Sequence, residues 1–422
     1  MGMYLGARHR PLLSFEEKLR NYARIGLVNL GYDQKIRPLY ILSAQIEDHG
    51  HFIPILAEEA YKLGVKNVEM LFRYPELERA QFLGAPGDQK LYVPFTVAVW
   101  ANEVLKTDGA RLRLDGMGEL GTMDDVNPQY PTKYDTTFRK AMEPLRTRHM
   151  KGLQPWSILD VPTKAWADKL GTTVEKLWEF LFEVSGADRD DAMTYPLNVS
   201  KKLHERCDYI NTLGIHTLHF VGDGTDLKVG LTEKARFIGG RKCAEDGTWF
   251  EPNWPSFEIF TTPDWRKTEG EVRLTMPTCI DGPIVEGLSV TFSKGRIVDF
   301  IAEKGSDAFR ALINFDTGAA HLGEIALVGL DSPLSKYKEP HYSIMLDENK
   351  RCHMAVGQAY PMCLEGGTTM SPEELSALGC NMSDVHHDMM ISDETTSVYA
   401  LDVNGKKITQ LIKDGHWTGE FK

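Results

Sequence analysis

Six side chains in the C-terminal half of this chain carry the kinds of oxygen and nitrogen donors that bind divalent cations: Glu258, Glu324, His353, Tyr360, His386 and Asp388. His386 and Asp388 stand two apart in the run Val385 to Ile391, which reads as a strand. Side chains at i and i+2 of a strand share a face, so this pair can offer an imidazole nitrogen and a carboxylate oxygen to one ion while His387 points the other way. Taken alone, the pair is also what a short polar strand face looks like. Glu324 opens the apolar run Ile325 to Val328, and Glu258 is flanked by Phe257, Ile259 and Phe260. A buried carboxylate is costly unless it is paired or bound to metal, and an ion pair with Arg266 or Arg273 would satisfy either glutamate without a metal. His353 and Tyr360 are seven apart, on one helical face or at the two ends of a tight loop, and Gly357 between them weighs against a continuous helix.

Three other patterns are set aside. His321 stands three before Glu324, one helical turn, but the sequence that follows reads as strand. Asp223 and Asp226 lack the remaining ligands and terminal Glu of a calcium loop and read as a turn. The segment Gly239 to Cys243 is a loop that lacks the Gly-Lys-Ser/Thr of a phosphate cradle.

The elements that must position the six donors follow from length and patterning. At 422 residues the chain exceeds the size at which one core keeps growing, which predicts two domains. A net charge of −12 spread along the sequence argues against a nucleic-acid partner or an anionic membrane surface. The six cysteines form no Cys-x-x-Cys pair and no dense framework, which suits a reducing cytoplasm. Residues 1–10 lack the apolar core of a signal peptide, and no apolar run approaches the ~20 residues of a membrane span.

Ser14 to Glu17 is a capping-box pattern, and Leu19, Tyr22, Ala23 and Ile25 follow at helical spacing toward Gly31. Strands at 39–42, 68–72, 111–114 and 157–159 alternate with helices at 53–61 and 96–105, the signature of βαβ units and a largely parallel sheet. Helices at 164–170, 174–184 and 201–213 precede a composition shift at 218–227. Beyond it β-branched runs dominate, at 268–276, 284–292, 297–301 and 398–401, interrupted by a helical hairpin beginning at Ser371. The expected architecture is an α/β N-terminal domain over residues 1–220 and a β-rich α+β C-terminal domain over 221–422 that carries the metal site.

In their local sequences, Asn253 to Pro263, Leu322 to Val328, His353 to Tyr360 and His386 to Ile391, the six donors resemble the metal site of the M29 metallo-aminopeptidases, the thermophilic aminopeptidase family. The resemblance extends through Pro155 to Ala167, Gly224 to Leu231 and Thr261 to Gly270. It implies a metal set of Glu258, Glu324, His353, Tyr360, His386 and Asp388, with Glu324 bridging two ions, and a homodimer acting on peptides with a free N-terminus. It also implies catalytic roles for Tyr360, as hydrogen-bond donor to the oxyanion, and for Glu324, with Glu324 or Glu258 shuttling protons. Departures from the family pattern are Phe257, where relatives often carry another Glu, and His387 and Met389, where Val and Phe are common.

Carboxylates with two imidazoles suit Zn²⁺ or Co²⁺, with Mn²⁺ or Mg²⁺ able to serve where oxygen ligands dominate. So acidic a site favours two ions, because converging carboxylates would otherwise repel one another and take up protons. The activity this predicts is removal of a peptide's first residue by a bridging metal-bound hydroxide. Two rivals remain: a mononuclear iron ring-cleaving dioxygenase of related fold, which would use fewer of these ligands, and a non-catalytic metal-binding protein.

Overall fold

The computed structural model describes residues 13–119, 121–280 and 283–421; the segment read for a signal peptide, residues 1–10, lies outside them. The chain forms two compact units. One holds the residues up to Arg146 with Gln154–Pro196 and Asp246–Pro252, and the other holds Thr147–Leu153, Leu197–Glu245 and the residues from Asn253 onward.

The first unit is the expected α/β layer. Strands Leu39–Ser43, Val68–Phe72, Ala110–Asp115 and Trp156–Asp160 are parallel, and the first strand lies between the second and third. The opening helix, Phe15–Asn29, starts at the capping box: the Glu17 N–H donates to Ser14 Oγ and the Ser14 N–H to the Glu17 carboxylate. Its apolar stripe of Leu19, Tyr22, Ala23 and Ile25 is buried, so most of its stability comes from packing and not from propensity. Helices Phe52–Lys62 and Phe95–Lys106 fill the crossovers. Helices Pro75–Gly84, Gln129–Ala141 and Glu143–Met150 have no counterpart in the sequence reading. Gln129–Ala141 buries only Tyr134 and Phe138, too narrow a stripe to give a periodic signal.

The second unit is antiparallel. Eight strands, among them Thr217–Gly222, Thr225–Leu231, Pro263–Arg273 and Ser397–Leu401, form its larger sheet. The run 284–292 is not one strand: Gly287, at φ +62°, separates Ile284–Val285 from Ser289–Ser293. The helical hairpin expected from Ser371 is a single short helix, Pro372–Ala377, capped by Ser371 and Glu374 and followed by Gly379 at φ +93°. No helix among the described residues is long and apolar enough to cross a membrane.

A four-stranded sheet carries the chemistry: Ile259–Thr261, Leu322–Leu327, His353–Gly357 and His386–Met390, in that spatial order and antiparallel throughout. Its two faces differ. Ile259, Leu322, Ile325, Leu327, Met354, Val356 and Met389 enter a core shared with Leu218, Phe220, Leu227 and Val229 of the larger sheet. The opposite face carries Phe260, Glu324, Ala326, His353, Ala355, Gly357, His386 and Asp388, as the register dictates: Phe260 opposes Ala326, Ala326 opposes His353, Glu324 opposes Ala355, and Ala355 opposes Asp388.

Strict alternation would put Glu324 on the same face as Leu322, in the core. A bulge at Gly323 prevents this. Leu322 opposes Val356 while Glu324 opposes Ala355, so two steps on one strand match one on the other and Glu324 turns to the polar face. Gly323 is needed there, because a methyl group on it would lie 2.4 Å from the carbonyl oxygens of both Gly357 and Gln358. Gly323→Ala should therefore cost about 1–3 kcal/mol and lower the melting temperature while far-UV circular dichroism stays native. An unchanged melting temperature would show that the bulge does not depend on glycine.

Candidate metal centre

Each donor inherits its place from this sheet. Glu258 directly precedes the Ile259 strand, Glu324 follows the bulge, His353 is the first residue of its strand, and His386 and Asp388 occupy alternate positions of theirs. The His386 strand is the one expected, and its two donors share a face. His353 and Tyr360 lie on no helix: a strand runs from His353 to Gly357, and Tyr360 stands in the loop before a 3-10 turn at Pro361–Cys363. Ala355 separates Glu324 from Asp388 in the cross-strand row, and its single methyl leaves room for both carboxylates to converge above it.

The six side chains form one cluster. Ligand atoms of Glu258, Glu324 and His353 lie within 4.8 Å of one another, as do those of Glu324, His386 and Asp388. His353 Nε2 is 3.2 Å from Glu258 Oε2, and His386 Nε2 is 3.2 Å from Glu324 Oε2 and 3.5 Å from Asp388 Oδ1. The Tyr360 hydroxyl is 3.3 Å from His386 Nε2.

A seventh residue joins them. Glu348, the last residue of the helix Ile344–Glu348, makes a third group with His353 and Asp388 at the same spacing. Its sequence context, Asp347 to Arg351, is uniformly polar and reads as a solvated turn, with no local signal to mark it. Asn349 ties this helix to the Glu258 segment, since its Oδ1 accepts from the Phe257 N–H at 2.6 Å and its Nδ2 donates to the Met345 carbonyl. Phe257 itself lies against Trp254, with ring centres 6.0 Å apart.

The backbone sets both imidazole tautomers. His386 Nδ1–H donates to the Gln358 carbonyl at 2.7 Å, and His353 Nδ1–H donates to the Glu348 carbonyl at 3.0 Å. A carbonyl can only accept, so Nδ1 carries a proton and each Nε2 faces the carboxylates, toward which it holds a second proton until a cation takes its place, the orientation a metal-binding histidine requires.

The electrostatics call for cations. Burial, and then the neighbouring carboxylates, push Glu348 well above its ordinary range and Glu324 upward as well. Burial opposes charge on His386, yet Asp388 and Glu324 raise it to about 11, and burial is likewise overridden at His353 by Glu258. Asp388, despite burial, is held low by His386. Burial, with Glu324 and Asp388 beside it, keeps the Tyr360 phenol protonated far above its usual range. Glu258 Oε2 and Asp388 Oδ1 are buried acceptors whose nearest basic nitrogens are the His353 and His386 Nε2 atoms, at 3.2 and 3.5 Å. Four carboxylates and two imidazoles crowded out of water are matched far better by multivalent cations than by protons.

The alternatives read from the sequence resolve. Arg266 pairs with Asp264, and Arg273 with Asp223 and Asp393, so neither arginine serves Glu258 or Glu324. His321 Nδ1 faces the Trp265 and Gly295 carbonyls. Asp223 stands in the turn between Thr217–Gly222 and Thr225–Leu231, and Asp226 meets His219. His387 points away from the cluster, with Nε2 2.7 Å from Thr278 Oγ1.

Comparisons with known proteins agree with one another on the family. The family profile of the thermophilic metalloproteases (M29) matches residues 15–417. Aminopeptidase T of Thermus thermophilus is 33% identical over 408 residues, covering 95% of this chain and 98% of its own. Aminopeptidase AmpS of Bacillus subtilis is 30% identical over 414 residues, covering 96% and 99%. The solved structure of wild-type AmpT from Thermus thermophilus superposes with a TM-score of 0.86 at 30% identity, covering 96% of this chain and all of that one. The chain therefore belongs to the thermophilic metalloprotease family (M29) and is a metal-dependent peptidase.

Proposed function

We propose that this protein is an aminopeptidase in which Glu258, Glu324, His353, Tyr360, His386 and Asp388, joined by Glu348, would hold and serve two divalent ions, with Glu324 the carboxylate common to two of the donor groups. The observation that carries this reading is the convergence of four buried carboxylates on two imidazoles whose Nε2 atoms are presented by backbone carbonyls. Two ions fit better than one, since a single divalent cation would leave half of that negative charge buried and unbalanced. The same excess of carboxylates disfavours a mononuclear iron oxygenase, which uses two histidines and one carboxylate. Zn²⁺ or Co²⁺ suits the mixed donor set best, and Mn²⁺ or Mg²⁺ its oxygen-rich part.

Bound divalent ions would supply Lewis acidity toward the scissile carbonyl and toward water, yielding a hydroxide nucleophile near neutral pH. The protein's own groups do the rest. The Tyr360 hydroxyl, kept protonated, donates a hydrogen bond to the oxyanion as the carbonyl carbon becomes tetrahedral. Glu324 or Glu258 takes the proton from the attacking water and returns it to the departing amine. A free, unprotonated amine has a lone pair to offer a divalent ion held by these residues, which would place the chain's first peptide bond at the site. Six free thiols fit a reducing cytoplasm, and a homodimer fits the family.

The direct test is hydrolysis of an amino-acid amide by the pure protein, abolished by a chelator and restored by Zn²⁺ or Co²⁺. Absence of turnover in the metal-loaded protein would leave only a binding role.

His386→Ala and Asp388→Asn should each lower the metal content and remove most activity while the fold survives, because the strand that presents them is set by backbone pairing with Ala355 and Gly357. Full metal occupancy with near-normal hydrolysis in both variants would rule this site out.

Tyr360→Phe should keep the metals and KM but lower kcat by about 10²- to 10³-fold, the scale for loss of one oxyanion donor. Equal turnover by variant and parent would reduce Tyr360 to a packing residue against Phe260.

Acetylating the N-terminus of a peptide substrate should abolish its cleavage, because an amide nitrogen has no lone pair to offer the acidic, metal-loaded end of the cleft. Efficient internal cleavage of the acetylated peptide would identify an endopeptidase instead.

A further inference from the structure

Asp347 and Lys350 have no part in the reaction derived above, yet they stand on either side of Glu348 in the chain. Lys350 is fully buried. An ammonium can only donate, and this one meets the Asp347 carboxylate at 2.7 Å, His341 Nδ1 at 2.6 Å and the Glu339 carbonyl at 2.6 Å, an acceptor for each of its hydrogens. Asp347 is engaged from a second direction, because both of its oxygens accept from the His341 backbone N–H, at 2.8 and 3.1 Å. The ion pair therefore closes the stretch of chain from Glu339 to Lys350 on itself.

That stretch contains the element that carries Glu348. The helix Ile344–Glu348 has five residues, too few to hold its own shape. The turn that follows it is pinned again by two hydroxyls, Ser332 donating to the Asn349 carbonyl and Ser335 to the Lys350 carbonyl, each at 2.7 Å. Residue 348 serves the cluster twice. Its carboxylate groups with His353 and Asp388, and its carbonyl faces His353 Nδ1 at 3.0 Å, with the Arg351 carbonyl at 3.3 Å beside it. A displaced turn would thus carry a carboxylate and an imidazole away together. Desolvation of a buried ion pair offsets much of what the pair returns to stability, whereas the geometry it imposes is kept in full.

We propose that the buried Asp347–Lys350 ion pair positions Glu348, by fixing the helix end and the turn 348–351, and so sets the affinity of the cluster for divalent cations. Both are positioning residues and not catalytic ones. The inference rests on the reading above, in which Glu348 joins the metal set.

The test is the affinity of the pure, metal-stripped protein for Zn²⁺, measured by competition with a chromophoric chelator, with far-UV circular dichroism as the check on folding. The proteins compared are the parent, Lys350→Met, Asp347→Asn, Glu348→Gln, and the double variant of Glu348→Gln with Lys350→Met. Lys350→Met and Asp347→Asn should each weaken Zn²⁺ binding by about 10- to 100-fold while the fold stays native, the scale for losing a group that orients a metal ligand. Glu348→Gln should weaken it at least as much, and in that background Lys350→Met should add far less than it costs the parent, because both changes act through the same ligand. Parent-like affinity in either folded variant of the pair overturns the inference. So does full additivity in the double variant, since the pair would then act through a different donor. Failure of both pair variants to fold assigns the pair to the fold instead of the site, and the inference falls. Parent affinity in Glu348→Gln removes Glu348 from the metal set, and a parent that binds no Zn²⁺ removes the metal reading itself; the inference falls with either, and the protein that shows the failure tells them apart.

Discussion

Four carboxylates brought together out of water are the constraint on which the rest of this structure depends. Glu258, Glu324, Glu348 and Asp388 are all buried, and among the described residues His353 and His386 are the basic groups placed among them by distance. Such an arrangement is unfavourable unless positive charge enters, because like charges in a poorly solvated site raise one another's proton affinity. The protein tolerates this because its folding energy comes from elsewhere, in the apolar core beneath the sheet. Metal binding and folding are coupled in sign: cations that occupy the cluster remove a repulsion that the apo fold must bear.

Backbone geometry, more than side-chain packing, aims the donors. The Gly323 bulge turns Glu324 out of the core, the register of three strands sets Glu324, Ala355 and Asp388 in one row, and two carbonyls fix the imidazole tautomers. Backbone groups cannot rotate to new partners as hydroxyls or carboxylates can. A site oriented by them is therefore stiff, and stiffness of this kind is what preorganised catalysis needs.

Legibility in the sequence followed the same division. The parallel sheet of the first unit was readable because each strand is short, carries apolar residues and is separated from the next by a helix-length segment or more, and His386 with Asp388 was readable because strand alternation is undisturbed there. Glu324 could be picked out by residue type and by family resemblance but not by periodicity, since the bulge breaks the alternation that periodicity assumes. His353 and Tyr360, seven apart, suggested a helix or a loop; the strand between them ends at Gly357, whose φ of +98° lets the chain leave the sheet. Glu348 was missed because nothing local separates a buried carboxylate at a helix end from a solvated one. Its burial is decided by Asn349 and by the strand of His353, which are contacts across space.

The tautomers also bear on how the site can be reached by water and protons. With Nδ1–H committed to the Gln358 carbonyl, His386 has only Nε2 left to offer, and His353 is committed in the same way to Glu348, so a cation that takes Nε2 also removes the imidazole from proton transfer. With the imidazoles taken up in that way, proton movement is left to the carboxylates, among them Glu258 and Asp388, whose buried oxygens face His353 and His386. The Tyr360 phenol is held protonated by burial and by the same carboxylates, so it can give a hydrogen bond but not readily give up its proton. The division of labour between donor and base thus follows from which groups the backbone has already claimed.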